Sequence, residues 1–140
     1  MAIFEMQGGA IRLSIYAGLK TEIGANVTGY SGRVFPLIAP EGFSLPYATY
    51  QQTFTERLKT LSGYTGGLFV DYQINFYAST YVSARTAADL WISYIKNFSG
   101  TLGDESVSSV QVLNEFEDMD NVGSKARYRT IIECRFYYVE

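Results

Sequence analysis

Leu68-Phe69-Val70-Asp71-Tyr72-Gln73-Ile74-Asn75-Phe76-Tyr77 decides the fold class of this chain. Leu68, Val70, Tyr72, Ile74 and Phe76 alternate with Asp71, Gln73 and Asn75. A period of two over that length predicts a strand with one apolar and one polar face. Immediately afterwards Ser79 or Thr80 can cap a helix in which Ala84, Ala87, Ala88, Trp91, Ile95 and Phe98 share a face. Arg85, Asp89, Ser93 and Lys96 lie opposite. The alanines allow that helix to approach its sheet closely, and Trp91 falls on the apolar stripe, which makes it a core residue.

Upstream, Ile11, Ile15, Leu19 and Ile23 recur every four positions, and Tyr16 and Val27 fill out the same side. The spacing predicts a first helix over residues 11–27. Gly18 and Gly24 weaken it, so its stability should come from docking rather than propensity. A short extended piece over 33–38 and all three prolines follow, at Pro36, Pro40 and Pro46. Each proline fixes its own φ and biases the residue before it toward extended geometry, so this stretch is a shaped connector. The run from Tyr47 to Thr55, rich in Thr and aromatics, reads as a strand with one wet face. Over 56–67 the pattern dissolves into a long hairpin tip with three glycines at its far end, a candidate contact arm.

Two final strands are expected over 106–116 and 127–139, joined by an acidic turn over 117–124. In the last strand Tyr128, Thr130, Ile132, Cys134, Phe136 and Tyr138 alternate with Arg127, Arg129, Ile131, Glu133, Arg135 and Tyr137. The reading is one domain over 1–140: an α+β fold of about four to five antiparallel strands with two helices on one face, in the order α-β-β-(β)-α-β-β. Residues 1–9 are a lead that can serve as a flexible arm.

Composition narrows function mainly by exclusion. The 140 residues include no histidine, which removes the commonest general base and metal ligand and every Ser-His or Cys-His nucleophile. Glu115, Glu117, Asp118 and Asp120 could hold a cation through oxygens, yet they lack a dedicated calcium-loop pattern and read as a solvated turn. Gly63, Gly66 and Gly67 are followed neither by Lys-Ser/Thr nor by a helix, so they read as turn glycines rather than a phosphate loop. The single cysteine, Cys134, cannot form an internal disulfide and reads as a buried small hydrophobe. A net charge of −3 without any basic cluster argues against sequence-specific nucleic-acid binding. No apolar run is long enough for a signal peptide or membrane span, so the expected setting is cytosolic. The 12 Tyr and 9 Phe exceed what a core of this size needs, which places some aromatics at a partner surface.

The connector Arg33-Val34-Phe35-Pro36 with Ala39-Pro40-Glu41, and Leu45-Pro46-Tyr47 opening a strand, stand in a particular order with three further segments. These are Phe76-Tyr77-Ala78-Ser79-Thr80-Tyr81-Val82-Ser83-Ala84-Arg85, then Phe98-Ser99-Gly100-Thr101-Leu102-Gly103, and residues 118–123 before Ala126-Arg127-Tyr128-Arg129. Over roughly 10–139 this order resembles the tail completion, or tail terminator, proteins of long-tailed bacteriophages and prophages. The resemblance implies a non-enzymatic structural virion protein, assembled in the host cytoplasm and resident at the head-tail interface. It implies a ring, usually of six subunits, that halts tail-tube polymerisation and offers a surface to the head connector, with DNA only passing through. No cofactor, metal or catalytic residue is carried over. The longer lead 1–9 and the extended 56–67 segment depart from the usual pattern.

A ring needs one edge of a subunit to meet a different edge of its neighbour. The candidate contact residues are Tyr47, Thr49, Arg57, Leu58, Leu61, Tyr64, Ile131 and Tyr137. Another neck or head-completion component is the nearest alternative, and a small α+β enzyme or ligand-binding domain the more distant one.

Overall fold

The computed structural model describes residues 5–6, 9–10 and 15–139. Two short strands, β1 (Glu5–Met6) and β2 (Gly9–Ala10), pair antiparallel. The rest of the expected 1–9 arm and the first turn expected of the first helix, 11–14, lie outside the described residues. Then come α1 (Ile15–Asn26), β3 (Val34–Pro36), β4 (Tyr47–Thr60), β5 (Gly63–Ala78), α2 (Tyr81–Ile95), β6 (Gly100–Leu102), β7 (Glu105–Val122) and β8 (Lys125–Val139).

The main sheet has six strands in the order β3-β4-β5-β8-β7-β6. The α+β class holds, but the strand count and order differ from expectation. β3 falls within the short extended piece expected over 33–38, whereas β6, also only three residues long, is too short to leave a periodic signal. The sheet is also mixed rather than purely antiparallel, because β3 runs parallel to β4, pairing Val34 with Ala48 and Pro36 with Tyr50.

One apolar core lies between this sheet and the two helices. Leu68, Val70, Tyr72, Ile74 and Phe76 of β5 and Ile132, Cys134, Phe136 and Tyr138 of β8 meet Trp91 and Ile95 of α2 and Ile15, Leu19 and Ile23 of α1. Burial pushes the Cys134 thiol up to about 12, against an opposing pull from Trp91, so at neutral pH it is an inert hydrophobe in this core. Thr80 caps α2, its hydroxyl accepting from the Ser83 amide at 3.1 Å. Tyr16 departs from the expected face of α1 and is half exposed.

The largest departures are the two hairpins. The long hairpin tip expected over 56–67 is indeed part of a hairpin, but it is ladder almost to its end, with Lys59 opposite Tyr64 and Thr60 opposite Gly63, leaving only Leu61 and Ser62 as the turn. The expected acidic turn over 117–124 is likewise strand, up to Val122 opposite Lys125. Its carboxylates are not simply solvated: Asp118 faces Arg129 and Asp120 faces Arg127 across the ladder. Opposite charges directly across an antiparallel pair extend a ladder that a single-strand pattern would end.

Candidate assembly surfaces

Strand register places the two hairpins at opposite ends of the sheet. β5 pairs with β8 from Gly67 opposite Val139 to Ala78 opposite Tyr128. Beyond Gly67 the β4–β5 hairpin continues alone, and beyond Tyr128 the β7–β8 hairpin continues alone. At about 3.3 Å per residue, those two points stand roughly 35 Å apart.

Threonine hydroxyls hydrogen-bond the backbone along the β4–β5 arm. Thr60 Oγ1 donates to the Gly63 carbonyl at 3.2 Å, and the Gly67 amide donates to Thr65 Oγ1 at 3.1 Å. Gly67 is closely packed here: a Cβ would meet the side-chain ends Leu58 Cδ1 at 3.0 Å and the Tyr137 hydroxyl at 3.1 Å, which would have to give. At the apex Leu61 is fully exposed and Tyr64 is 69% exposed, with the Lys59 ammonium 5.2 Å from the Tyr64 ring centre. At the arm's root Arg135 donates to both Asp71 oxygens, at 2.7 and 3.0 Å, and lies between the rings of Phe54 and Phe69.

At the opposite end, the β7–β8 arm is tied to the sheet by two arginines. Arg127 donates to Asp120 and to the Tyr47 hydroxyl, the latter at 2.8 Å, while its guanidinium lies 4.9 Å from the Tyr77 ring centre. Arg129 binds Asp118 and approaches the same ring. These guanidinium hydrogen bonds hold the carboxyls of Asp118 and Asp120 below their ordinary value of 3.8. A lowered native pKa means that the pairs contribute fully above that value and are lost as pH falls through the lowered one. Amide protection over 118–127 should therefore drop selectively in acid below about pH 4, before the core opens. Equal loss of protection in arm and core would contradict this.

Between this arm and the connector lies a groove of about 790 Å³, walled by Ile38, Phe43, Leu45, Tyr47 and Val122, with Glu41 and Lys125 on its rim. Arg33 shapes the connector: it donates to the Pro46 and Ser44 carbonyls at 2.7 and 2.8 Å and covers the Phe43 ring, which itself packs on Phe35. The Leu45–Pro46 bond is cis. Leu37 has φ 65°, and the Ile38 amide donates to the Pro36 carbonyl at 2.7 Å. That tight three-residue turn is strained for a branched side chain. It turns two aliphatic residues outward, leaving Leu37 70% and Ile38 79% exposed.

The sheet edges carry a different message. β3 covers only 48–50 of β4, and β6 covers only 105–107 of β7, so both outer strands are otherwise unpaired. β7 carries two bulges, at Ser108 and Leu113, and β4 one, at Thr53; opposite Leu58 the extra residues, 65–67, belong to β5. Bulges and charges on an edge are the usual devices against indiscriminate strand addition. The apex and the groove, rather than the edges, are therefore the candidate contact surfaces.

Of the residues expected at a contact surface, Arg57, Leu61 and Tyr64 are exposed on the β4–β5 arm and Leu58 is half-buried there. Tyr137 is half-buried against Phe69. Tyr47, Thr49 and Ile131 are buried within the chain, with Tyr47 forming part of the groove wall. The structure thus gathers four of the eight on one arm and places Tyr47 at the far end. Leu37, Ile38 and Phe43 escaped the sequence reading, although the crowding of all three prolines around them marked the segment. The four carboxylates weighed as a cation site are divided: Glu115 and Glu117 turn to Arg85 on α2, at 2.7 and 3.6 Å, and Asp118 and Asp120 to the β8 arginines. No cluster of three or more potential metal ligands occurs among the described residues, and no described helix is long and apolar enough to cross a membrane.

No protein-family model matches this chain, and no curated protein sequence does. Among solved structures, a chain described as part of the virion of a native gene transfer agent particle superposes with a TM-score of 0.64 at 14% identity. The match covers 91% of this chain and 92% of that one. At that identity the likeness is one of fold.

Proposed function

We propose that this chain is a structural virion protein whose copies join head to tail into a ring, of six subunits, that caps the head-proximal end of a phage tail tube. In this reading it ends tube growth, presents a surface to the head connector and lets DNA pass. Its task is assembly rather than catalysis. The observation that carries the proposal is the placement of two unlike exposed apolar surfaces, an apex and a groove, at opposite ends of one sheet. A single chain cannot bring them together, and unlike surfaces on one subunit generate rings when the rotation between copies closes. The full-length fold likeness to a virion chain and the resemblance to tail completion proteins support the same reading. The negative net charge suits a lumen that should not hold phosphates.

Incubation with isolated tails and isolated heads tests it. The expected result is co-sedimentation with tails and an annulus at one tube end by negative-stain microscopy. Sedimentation with heads alone would favour a portal-side neck component, and binding to neither would overturn the proposal.

A further inference from the structure

We infer that the sheet face turned away from the helices carries, at its centre, a binding site for an arginine side chain of a different protein, built from Glu133, Asn75 and Phe116. The site is read independently of the ring. Since Leu68, Val70, Tyr72, Ile74 and Phe76 of β5 enter the core, Phe69, Asp71, Gln73, Asn75 and Tyr77 turn to the other face. Residues opposite each other in a ladder share a face. Glu133 stands opposite Gln73 and Asn114, and Ile131 opposite Asn75 and Phe116. Asn75 and Phe116 are therefore diagonal neighbours of Glu133, close enough to meet one long side chain.

Three arginines show how this face is used. Arg135 pairs with Asp71 between Phe54 and Phe69, while Arg129 and Arg127 pair with Asp118 and Asp120 beside the Tyr77 ring. Each unit combines a carboxylate, an aromatic ring and a guanidinium. Glu133 and Phe116 bring a carboxylate and a ring together at the centre, and no guanidinium of this chain reaches them. Among the described residues Glu133 makes no ion pair or hydrogen bond, and Phe116 is 40% exposed without a ring or cation contact. A second observation is independent of charge. Asn75 is 5% exposed, its Nδ2 donates to Thr49 Oγ1 at 3.1 Å, and its Oδ1 is a buried acceptor with no donor. An acceptor left so is costly. A guanidinium offers donors to Glu133 and Asn75 Oδ1 together and a flat face to Phe116, which an ammonium does not. The flanking Arg135 and Arg129 do not oppose it, since each is matched by its own carboxylate. The occupant is another protein, because every arginine among the described residues already has a partner within this chain: Arg33, Arg57, Arg85, Arg127, Arg129 and Arg135.

Titration of the full-length protein with N-acetyl-arginine amide, followed by NMR at the Asn75 side-chain amide and the Glu133 backbone amide, tests the site. Saturable shifts at both positions are expected in the millimolar range, with weaker binding of N-acetyl-lysine amide. Glu133→Gln should lower the affinity roughly tenfold, the loss of one charge-assisted pair, and leave circular dichroism unchanged. Glu56→Gln, on the same face opposite Phe69, should bind as wild type does. In sedimentation with isolated tails and isolated heads, Glu133→Gln should attach less to one of them, while its oligomer mass by native mass spectrometry stays that of wild type. No shift with the arginine probe, or equal shifts in Glu133→Gln, would overturn the site. Probe binding with undiminished attachment to both particles would mark an adventitious cation site and overturn the partner. Impaired self-association in Glu133→Gln would assign the site to a second copy, which also overturns the inference. Failure of the wild-type protein to attach to either particle would remove the functional reading proposed above, and the probe titration would still decide the site.

Discussion

Replacing Trp91 by alanine should cost about 3–5 kcal/mol of folding stability, the usual loss for deleting a large aromatic from a packed interior. Trp91 is wholly buried on α2, beside Tyr94 and over the Cys134 strand. Domains of this size are typically stable by only ~5–15 kcal/mol, so the variant should stand near its unfolding threshold. Chemical denaturation followed by circular dichroism reads the effect, since the substitution removes the chain's only tryptophan. Trp91→Phe should recover much of the loss by refilling most of the space. An alanine variant within 1 kcal/mol or so of wild type would mean that α2 is not clamped to the sheet through this residue.

Gly18→Ala should also destabilise, by about 1–3 kcal/mol, although helix propensity alone predicts a gain of up to ~1 kcal/mol. The sign is decided by geometry. A Cβ on Gly18 would stand 2.3 Å from the Gly103 amide nitrogen and 2.7 Å from the Leu102 carbonyl carbon. Those are backbone atoms that cannot rotate aside, so α1 would have to lift off the turn after β6. Gly24 in the same helix is the control: its nearest neighbour would be 3.6 Å away, an ordinary contact. Gly24→Ala should therefore be neutral or stabilising. Denaturation midpoints of the two variants moving in opposite directions, with unchanged slopes, is the expected outcome. A stabilised Gly18→Ala would show that α1 is not held at that distance.

Gly18 also shows where local pattern reading runs out. In the sequence it is a weak point of a helix. In the fold it is the place where α1 meets a turn some eighty-five residues away, and no spacing rule carries that information. The alternation at Leu68 to Phe76, the Thr80 cap and the Trp91 stripe were legible, because each depends on a residue's own strand or helix. The β7–β8 arm was not. Asp118 and Asp120 resemble turn residues until Arg129 and Arg127 are set opposite them, and that pairing exists only once the hairpin has formed. The same holds in part for the β4–β5 arm, whose Thr and Gly residues read as a long hairpin tip although they staple a ladder. The groove was hidden for a third reason: most of its wall comes from two segments some eighty residues apart, Ile38 to Tyr47 and Val122 to Arg127, with Ser79 between them in sequence. What the sequence did show was that the proline-rich connector is shaped, and Arg33, Phe35 and Phe43 supply the shape.

These features bear on assembly in one further way. β4 and β7, whose outer edges β3 and β6 cover only in part, carry bulges, so growth by open-ended strand addition is disfavoured. A contact between unlike surfaces at the two ends of the sheet gives a cap of defined size only if the rotation between copies closes a ring, and an open filament otherwise.

The mass of the protein assembled on and released from tail tubes, measured by native mass spectrometry, tests head-to-tail closure most directly. One discrete oligomer, with a mass that does not grow as concentration rises, is the predicted result. A monomer under every condition, or an open-ended series of masses, would contradict it.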